Sequence, residues 1–326
     1  MAKRKILNTI YQSDDNYAVV SAISIASLLE NNQHLDEINI FYLGHNLKKS
    51  SVAKFNKLVA SYSNATISFV DTKAYHDRFV ELGVKSWRGL YITWYKLLAL
   101  ADINIKTDRI LYINPHTVVC GQLDNLLELD FEGKTMALSY DPLVNNHKPT
   151  IGLRLTDSYY NCGIMLINHK KWLKDNIDQK IQESLSAKSD YEIADQDFCN
   201  VFFKDDIKKM DVAYNFSSTF YGYDVKGFLR ANDLKPEYFY SYEEIMTAYY
   251  EPKIIHSQFG LKGKPWEAGN DAPNKYTWKK YLELTPWRQA VMPQAKMTLN
   301  WRLYNWLPMG VLLKLYTYAV NKKFGS

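Results

Sequence analysis

The sequence has few cysteines and no pattern that would use them. The three cysteines, Cys120, Cys162 and Cys199, lie far apart and form no Cys-x-x-Cys pair. Neither a zinc ribbon nor a disulfide framework is therefore supported, and a reducing, cytosolic setting fits best. Behind the basic N-terminus, the apolar stretch 6–11 is interrupted by polar residues and is too short for the core of a signal peptide.

Two common nucleotide-binding motifs are also missing, and the C-terminal residues from 287 onward lack acidic side chains. No Gly-x-Gly-x-x-Gly follows the first predicted strand, and no Gly-x-x-x-x-Gly-Lys-Ser/Thr occurs, so neither the usual NAD fingerprint nor a P-loop is present. From residue 287 onward there are six cations and no acid, so the net charge of +5 leaves −1 on the rest. A nearly neutral body argues against a broad nucleic-acid-binding face, and no nucleic-acid partner is expected.

The chain also lacks a convincing membrane-spanning run. Residues 303–320 are apolar but are broken by Pro308, Gly310 and Lys314. The cations and aromatics of 287–326 suit the surface of an anionic bilayer, while a C-terminal helix packed on the domain explains them equally well. We expect a cytoplasmic protein, with a peripheral position on the inner face of the plasma membrane left open.

What the chain does have is an ordinary apolar content and a regular alternation of elements. Apolar residues make up 47% of the 326 residues, enough for a real core. Periodicity predicts strands at 5–11, 37–44, 65–71, 109–113, 136–141, 160–168 and 253–256. It predicts helices at 18–30, 50–61, 94–101, 171–186 and 194–203. Alternating strands and helices are typical of a parallel, doubly wound sheet.

The most informative stretch is 109–119, where a short buried strand ends abruptly in polar groups. Asn114 and His116 follow this strand, with one residue between them. Ligands of open α/β sheets bind outside the carboxyl ends of the strands, so both side chains can face one ligand. The sequence therefore predicts the phosphate and metal corner of a nucleotide-sugar site here.

Other loops carry side chains that suit a nucleotide or a sugar. Asp14 and Asn16 lie at the first strand-to-helix turn, where they can cap the helix or bond the edge of a base. The loop 257–266 has two glycines and two lysines, which can cradle phosphates or simply be solvated. The dense aromatics of 214–250 can form core or a sugar-stacking wall. The remaining histidines are expected to be solvated or core-edge residues: His34, His45, His76, His147 and His169.

These segments together resemble family 8 retaining glycosyltransferases, the group that contains glycogenin and bacterial lipopolysaccharide galactosyl- and glucosyltransferases. The motifs are Asp14-Asp15-Asn16-Tyr17, Asn161-Cys162-Gly163 with Leu166-Ile167-Asn168 and Trp172, Asp195-Gln196-Asp197, and the closing motif from His256 to Lys264-Pro265-Trp266. The resemblance implies a GT-A type α/β fold with a single Rossmann-like mixed sheet flanked by helices. It implies a glycosyltransferase domain at 1–270 and a basic, aromatic, helical C-terminal region at 271–326.

The resemblance also implies roles for individual residues. Gln196 and Asp195 would be the catalytic residues, and because an amide is a poor nucleophile, same-face attack with Gln196 under the sugar ring is favoured. The nucleotide would be bound by Asp14, Asn16, Tyr17, Asn114, Gly260, Lys262 and Lys264. The donor sugar would be bound by Lys96, Asp141, Asn161 and Asp195.

The sequence departs from the family at the metal site. Asn114 and His116 stand where the family has Asp-x-Asp, which with the closing-motif histidine holds a divalent metal on the UDP diphosphate. Here Asn114, His116 and His256 would supply one neutral oxygen and two imidazoles to Mn²⁺, Mg²⁺ or a softer ion. The closing loop is two residues longer, and Lys96 stands where the family often has arginine.

Three outcomes of this departure stay open. The protein can bind a metal weakly when UDP is present, work without metal through Lys96, Lys262 and Lys264, or bind without transfer. The leading expectation is a hexosyltransferase that moves glucose or galactose from a UDP-sugar to a glycan or lipid-linked acceptor in surface polysaccharide assembly. The alternatives are a non-catalytic glycosyltransferase-like subunit that binds UDP or a partner enzyme, and a sugar-nucleotide hydrolase.

Overall fold

The structure, a computed structural model, describes residues 4–87, 89–142, 145–258 and 260–324. Its strands are β1 (Ile6–Asp14), β2 (Glu37–His45), β3 (Ala65–Asp71), β4 (Arg109–Ile113), β5 (Thr117–Val119), β6 (Met136–Tyr140), β7 (Tyr160–Asn168), β8 (Ile207–Lys209), β9 (Phe216–Ser217) and β10 (Ile254–His256). Its helices are α1 (Ala18–Asn31), α2 (Lys49–Val59), α3 (Lys73–Glu81), α4 (Tyr95–Asp102), α5 (Asp124–Glu128), α6 (His169–Lys174), α7 (Ile177–Ala187), α8 (Ala194–Phe202), α9 (Thr219–Gly222), α10 (Val225–Ala231), α11 (Tyr242–Tyr250), α12 (Lys275–Leu282), α13 (Leu299–Trp306) and α14 (Met309–Phe324). Short 3₁₀ turns cover Asp15–Tyr17, Ile92–Trp94, Asn145–Ile151 and Val212–Asn215.

The large sheet is mixed. In the described part of the chain its strand order is β3-β2-β1-β4-β7-β6-β8. The pairs among β1 to β4 are parallel, whereas β7 runs antiparallel to both β4 and β6. The alternation of strands and helices therefore predicts the first half of the sheet correctly. It fails at β7, because an antiparallel pair needs no crossover helix, whereas β6 and β8 are again parallel.

Alternate residues of each central strand pack into different cores. In β4, Leu111 and Ile113 belong to the core that contains α1, while Ile110 and Tyr112 belong to the core that contains α4. Side chains of successive strand residues point to opposite faces of a sheet, so both faces of β4 are covered. This explains why the strand reads as a continuous apolar run.

A second, three-stranded sheet has the order β5-β10-β9 among the described residues. β10 pairs antiparallel with β5, with His256 opposite Thr117, and parallel with β9. The backbone N–H of Ser257 donates to His116 O at 3.0 Å, which extends this pairing to the residue before β5. The small sheet therefore brings the end of β10 beside the polar corner that follows β4.

The single amphipathic helix predicted for 171–186 is wrong, because the chain forms two helices there. α6 and α7 are separated at Asn176, which has a positive φ of 50°. Ile177, Ile181 and Leu185 are buried as their spacing predicts, but Leu173 is 44% exposed. Asparagine tolerates the left-handed conformation better than most residues, and this local preference breaks the apolar period.

The C-terminal residues pack against the body of the protein. Trp278, Tyr281 and Trp287 join the core that contains α1, although the sequence assigned them to the appendage. α13 and α14 contact the 214–250 region, where Tyr316 lies 5.1 Å from the Tyr223 ring. No helix in the described ranges is long and apolar enough to cross a membrane.

Candidate active site

Two histidines from distant parts of the chain meet at the carboxyl end of β4. His116 Nε2 and His256 Nε2 lie 2.9 Å apart, and the ring centroids are separated by 4.5 Å. His256 is buried, whereas His116 is half-buried and borders solvent. Asn114 lies at the same corner. Its side-chain Oδ1 accepts a long hydrogen bond from the backbone N–H of His116 at 3.4 Å, and its backbone N–H donates to Gly163 O at 2.8 Å.

The His256 ring is fixed by Asn215, which sequence reasoning did not identify. His256 Nδ1 and Asn215 Oδ1 are 2.9 Å apart, and since the amide oxygen can only accept, Nδ1 carries the proton. Nε2 therefore presents its lone pair toward His116. Burial lowers the pKa of His256 to about 3, so the ring is neutral at physiological pH.

A chain of amides continues from this corner to the residues predicted to bind the donor sugar. Asn215 Nδ2 donates to Asn161 Oδ1 at 2.9 Å, and Asn161 Nδ2 donates to Asp141 Oδ2 at 2.7 Å. Gln196 Nε2 donates to the same carboxylate oxygen at 3.1 Å, and Gln196 Oε1 accepts from Cys162 N at 3.1 Å. The predicted metal corner and sugar corner are thus joined by direct hydrogen bonds.

Lys96 and Asp195 form a buried ion pair on the other side of the Asp-Gln-Asp motif. Lys96 Nζ lies 2.5 Å from Asp195 Oδ2, donates to Thr93 O at 2.6 Å and faces the Tyr112 ring at 4.6 Å. Burial alone lowers the pKa of Lys96, but the adjacent Asp195 carboxylate raises it, and the resulting pKa lies above its ordinary value. The lysine therefore stays charged although it is only 1% exposed.

The third member of the motif, Asp197, has a structural partner that the sequence did not reveal. Its carboxylate accepts from Tyr159 OH at 2.6 Å and lies 2.9 Å from His147 Nε2. His147 is 2% exposed, so the expectation of a solvated or core-edge residue is wrong for it, as it is for His169 at 3%. A buried polar ring needs such partners, and these are supplied by residues far away in the sequence.

The predicted nucleotide turn meets one lysine of the closing loop. Asp14 Oδ1 accepts from Tyr17 N at 3.1 Å, so Asp14 caps the 3₁₀ turn, while Asn16 Nδ2 donates to Asp14 Oδ2 at 3.0 Å. Lys264 Nζ donates to Tyr17 OH at 3.3 Å, and the Trp266 ring lies edge-on to Tyr17 at 6.0 Å. The turn and the Lys-Pro-Trp segment therefore form one surface.

The other lysine of the closing loop points toward the C-terminal helices. Lys262 Nζ lies 4.8 Å from the Tyr304 ring centroid and 3.9 Å from Asp271 Oδ2. Gly260 is exposed, and a Cβ built on it would meet nothing within 4 Å. The two lysines, two residues apart, thus contact different parts of the protein.

The residues at the β4 corner fit a divalent ion only in part. Imidazole nitrogens bind zinc-like ions at about 2.0–2.1 Å, so the 2.9 Å spacing of the two Nε2 atoms lets both bind one ion. Asn114 would add a neutral oxygen. Across the described residues, no three His, Cys, Asp or Glu side chains cluster as a metal site would require. Such an ion would need its negative ligands from the substrate.

Several of these partners left no clear signal in the sequence. Asn215, Tyr159 and His147 lie outside every motif and reach the site through pairings that span from 37 to 54 residues. One local hint concerned the packing around His256 and not these three partners. Gly163 is the glycine of the Asn-x-Gly motif, and a Cβ on it would lie 2.2 Å from His256 Cε1. A glycine next to a predicted ligand signals such a close approach.

Comparisons with known proteins identify the family of this chain. The family described as Glycosyl transferase family 8 matches residues 8–269. A lipopolysaccharide 1,2-glucosyltransferase of Escherichia coli is 24% identical over 300 residues, 90% of this chain and 83% of that protein. General stress protein A of Bacillus subtilis is 24% identical over 301 residues, 90% of this chain and 99% of that protein.

Among solved structures, the galactosyltransferase LgtC in complex with donor and acceptor sugar analogs is similar with a TM-score of 0.69. The two sequences are 21% identical, and the match covers 91% of this chain and 100% of that chain. This similarity and the mixed seven-stranded sheet of the described residues give a GT-A type fold. Because the family match spans most of its length, the chain belongs to glycosyl transferase family 8.

Proposed function

We propose that the chain is a retaining hexosyltransferase that moves glucose or galactose from a UDP-sugar to a glycan or glycolipid acceptor in surface polysaccharide assembly. The observation that carries this proposal is the continuous hydrogen-bonded chain from His256 to Gln196. Such a chain would hold a diphosphate and its sugar in a fixed relation, which transfer at the bond between them requires. The similarity to the Escherichia coli lipopolysaccharide 1,2-glucosyltransferase supports a hexose as the transferred sugar and a surface polysaccharide as the product.

In the proposed reaction an acceptor hydroxyl attacks the anomeric carbon from the face that the diphosphate leaves. The bond from that carbon to the phosphate oxygen breaks, its electron pair leaves with UDP, and the acceptor's proton passes to the departing oxygen. The Gln196 amide is a poor nucleophile and would instead steady the oxocarbenium-like carbon. Asp141, Asn161 and Asp195 would hold the hydroxyls of the sugar, and the buried Lys96 ammonium, 2.5 Å from Asp195 Oδ2, would hold that carboxylate in place.

The charge of the leaving diphosphate would be met mainly by protein cations. Lys264 lies beside the Tyr17 turn, and Lys262 lies two residues earlier in the same loop. A divalent ion, when bound by Asn114, His116 and His256, would supply Lewis-acid stabilisation at the same oxygens. Because this set holds no carboxylate, the ion's affinity would depend on the diphosphate itself. We therefore propose that metal dependence is weak or absent.

This function can be tested by measuring UDP release from UDP-glucose and UDP-galactose. The measurement is made first with about 1 mM EDTA and then with added Mn²⁺. We expect release in EDTA, a modest increase with Mn²⁺, and a loss of at least about tenfold in Gln196→Ala, which removes a group at the reacting carbon. NMR of the product sugar should show the anomeric configuration of the donor. No UDP release and no transfer with either donor, with or without Mn²⁺, would rule the proposal out.

The same assay separates the two alternatives. The absence of carboxylates at positions 114 and 116 favours a non-catalytic subunit, which would bind UDP but release none from either donor. A sugar-nucleotide hydrolase would release UDP at a rate that glycan and glycolipid acceptors do not change. Acceleration by an acceptor is the result that only a transferase gives.

We further propose that α14 rests on an anionic membrane surface at the cytoplasmic face. Leu312 and Leu313 are buried against the body, while Val311, Leu315 and Tyr318 are exposed on the other side of the helix. Exposed lysines of the same tail accompany them, as on helices that lie in a lipid interface. This position would place the site beside a lipid-linked acceptor.

A further inference from the structure

Among the described residues, one contact between the C-terminal helices and the closing loop joins Tyr304 to Lys262. Tyr304, in α13, presents its ring 4.8 Å from Lys262 Nζ, within the range of a favourable cation–π contact. The Lys262 side chain is 21% exposed and the Tyr304 ring is half-buried. The contact therefore joins the loop that follows β10 to the tail, and both side chains keep some exposure to solvent.

Tyr304 is itself held in place by the body of the protein. Its hydroxyl donates to Gly222 O, at the end of α9. One helix further along, Tyr316 packs against Tyr223 and Phe228, with ring centroids 5.1 and 5.8 Å away. Both Tyr223 and Phe228 are buried, so the tail docks on residues of a hydrophobic core.

We propose that Tyr304 is a positioning residue that holds the Lys262 ammonium beside the donor diphosphate, so that the docked tail completes the nucleotide site. This inference rests on the proposed function, since it presumes a diphosphate ligand. A lysine on a flexible loop loses rotamer freedom when it binds a phosphate, and a partner that already restricts it lowers that cost. The ring face occupies none of the ammonium's N–H donors, and the nearby Asp271 Oδ2 lies 3.9 Å from Nζ, too far for a hydrogen bond, so these donors can bond phosphate oxygens.

UDP binding to the full chain, measured by calorimetry in EDTA, tests the inference through a double-mutant cycle. The variants are Tyr304→Leu, Lys262→Met and the double variant. We expect Tyr304→Leu to weaken UDP binding about 3- to 10-fold, the effect of losing a partly desolvated cation–π contact. Lys262→Met should weaken it at least as much. The double variant should bind as Lys262→Met does, because Tyr304 acts through that lysine.

Two controls separate positioning from a general loss of structure. Tyr304→Phe keeps the ring and removes the hydroxyl that bonds Gly222 O. Because the ring supplies the contact with Lys262 and Tyr316 still docks the tail, this variant should bind UDP within about twofold of the wild type. Tyr250→Leu makes the matched change at an exposed tyrosine of α11 and should have no effect.

The results that would overturn the inference differ from those that would overturn the proposed function. Wild-type affinity in Tyr304→Leu, a full additional loss in the double variant, or a loss in Tyr304→Phe equal to that in Tyr304→Leu would each overturn the positioning role while UDP still binds. Absence of UDP binding by the wild type would overturn the proposed function and the positioning role with it.

Discussion

The His256 ring is enclosed by groups that each fix one of its properties. Asn215 fixes its tautomer, and burial keeps it uncharged by lowering its pKa to about 3. Gly163 leaves room for the Cε1 edge of the ring, which a Cβ would approach to 2.2 Å. Protein interiors are packed too tightly to absorb such an overlap without moving the ring or the strand.

Gly163→Ala should therefore displace His256 and disturb the site. We expect UDP release to fall at least about tenfold and the free energy of unfolding to fall by about 1–3 kcal/mol, the usual cost of overpacking. Enzyme assays and urea unfolding measure the two effects. Gly121→Ala is the control, because the close contact of its Cβ, at 2.9 Å, would be with Cδ of the flexible Lys253 side chain, and the Lys253 backbone lies at an ordinary 3.8 Å. Wild-type turnover in Gly163→Ala would contradict the arrangement around His256.

Lys148 is a second residue whose environment sets a measurable property. It is 3% exposed, donates to Leu155 O at 3.1 Å and faces the Tyr238 ring at 4.8 Å. Burial lowers the pKa of Lys148 to about 8, whereas the unfolded chain keeps its proton up to about 10.5. Between these values the unfolded state binds more protons, so the stability of the folded state rises with pH.

Lys148→Met should stabilise the protein at neutral pH, because it removes a buried charge and keeps the unbranched apolar stem. The expected gain in the free energy of unfolding is about 1–2 kcal/mol at pH 7, after allowance for solvent near the ammonium. The gain should shrink as pH rises from 8 to 10, where the wild-type lysine loses its proton. Urea unfolding at pH 7 and pH 9.5 measures both values. A gain that does not change with pH would contradict a depressed pKa.

At the scale of elements, the backbone conformation of one residue separates α6 from α7. The break between α6 and α7 sits at Asn176, whose φ is 50°. Ile181 and Leu185 keep the apolar face of α7 in the core, whereas Leu173 turns outward on α6. The local preference of asparagine therefore overrides a four-residue apolar repeat that would favour one continuous helix.

Substitutions at Asn176 should follow the preference for positive φ. Asn176→Val should lower the free energy of unfolding by about 1–2 kcal/mol, since a β-branched residue is strained there, while Asn176→Gly should be neutral or slightly stabilising. Asn56→Val, at an exposed position inside α2, changes only helix propensity and serves as the control. Urea unfolding measures all three. Equal effects of valine and glycine at 176 would contradict the left-handed conformation.

At the scale of the whole molecule, the excess of positive charge lies in a tail that the body holds in place. The ring of Trp287 packs against Phe55 with centroids 5.0 Å apart, so the first residue of this tail belongs to the core. Removing residues 287–326 would therefore damage the core as well as the proposed membrane face. Point substitutions on the exposed side of α14 test membrane binding more cleanly.

Replacing Leu315 and Tyr318 together by serine should weaken sedimentation with anionic phosphatidylglycerol vesicles at least about fivefold, because two exposed apolar groups no longer enter the interface. Wild-type binding should also fall as salt is raised, since the lysines of the tail are screened. Leu155→Ser, at a residue that is 51% exposed outside the tail, should bind vesicles as the wild type does. If the double variant sediments with vesicles as the wild type does, the exposed side of α14 is not the membrane-binding face.

The sequence by itself determined the local elements and the motifs. The strands at 65–71, 109–113 and 160–168 have the predicted bounds, because their apolar runs and polar ends are properties of neighbouring residues. The motif resemblance likewise predicted the family and the GT-A fold. The family match confirmed the first, and the similarity to LgtC confirmed the second. The helix at 171–186 failed because one residue's conformation outweighed the period.

Only the tertiary structure decided which distant residues meet. The direction of β7, the pairing of β10 with β5, and the contact of His147 with Asp197 depend on chain segments that no local pattern relates. Asn215 illustrates the reason: an asparagine outside every motif carries no sign of its partner until β9 and β10 pair and bring it to His256. Local sequence fixes dihedral preferences and burial, whereas pairings across many residues follow from how the whole core packs.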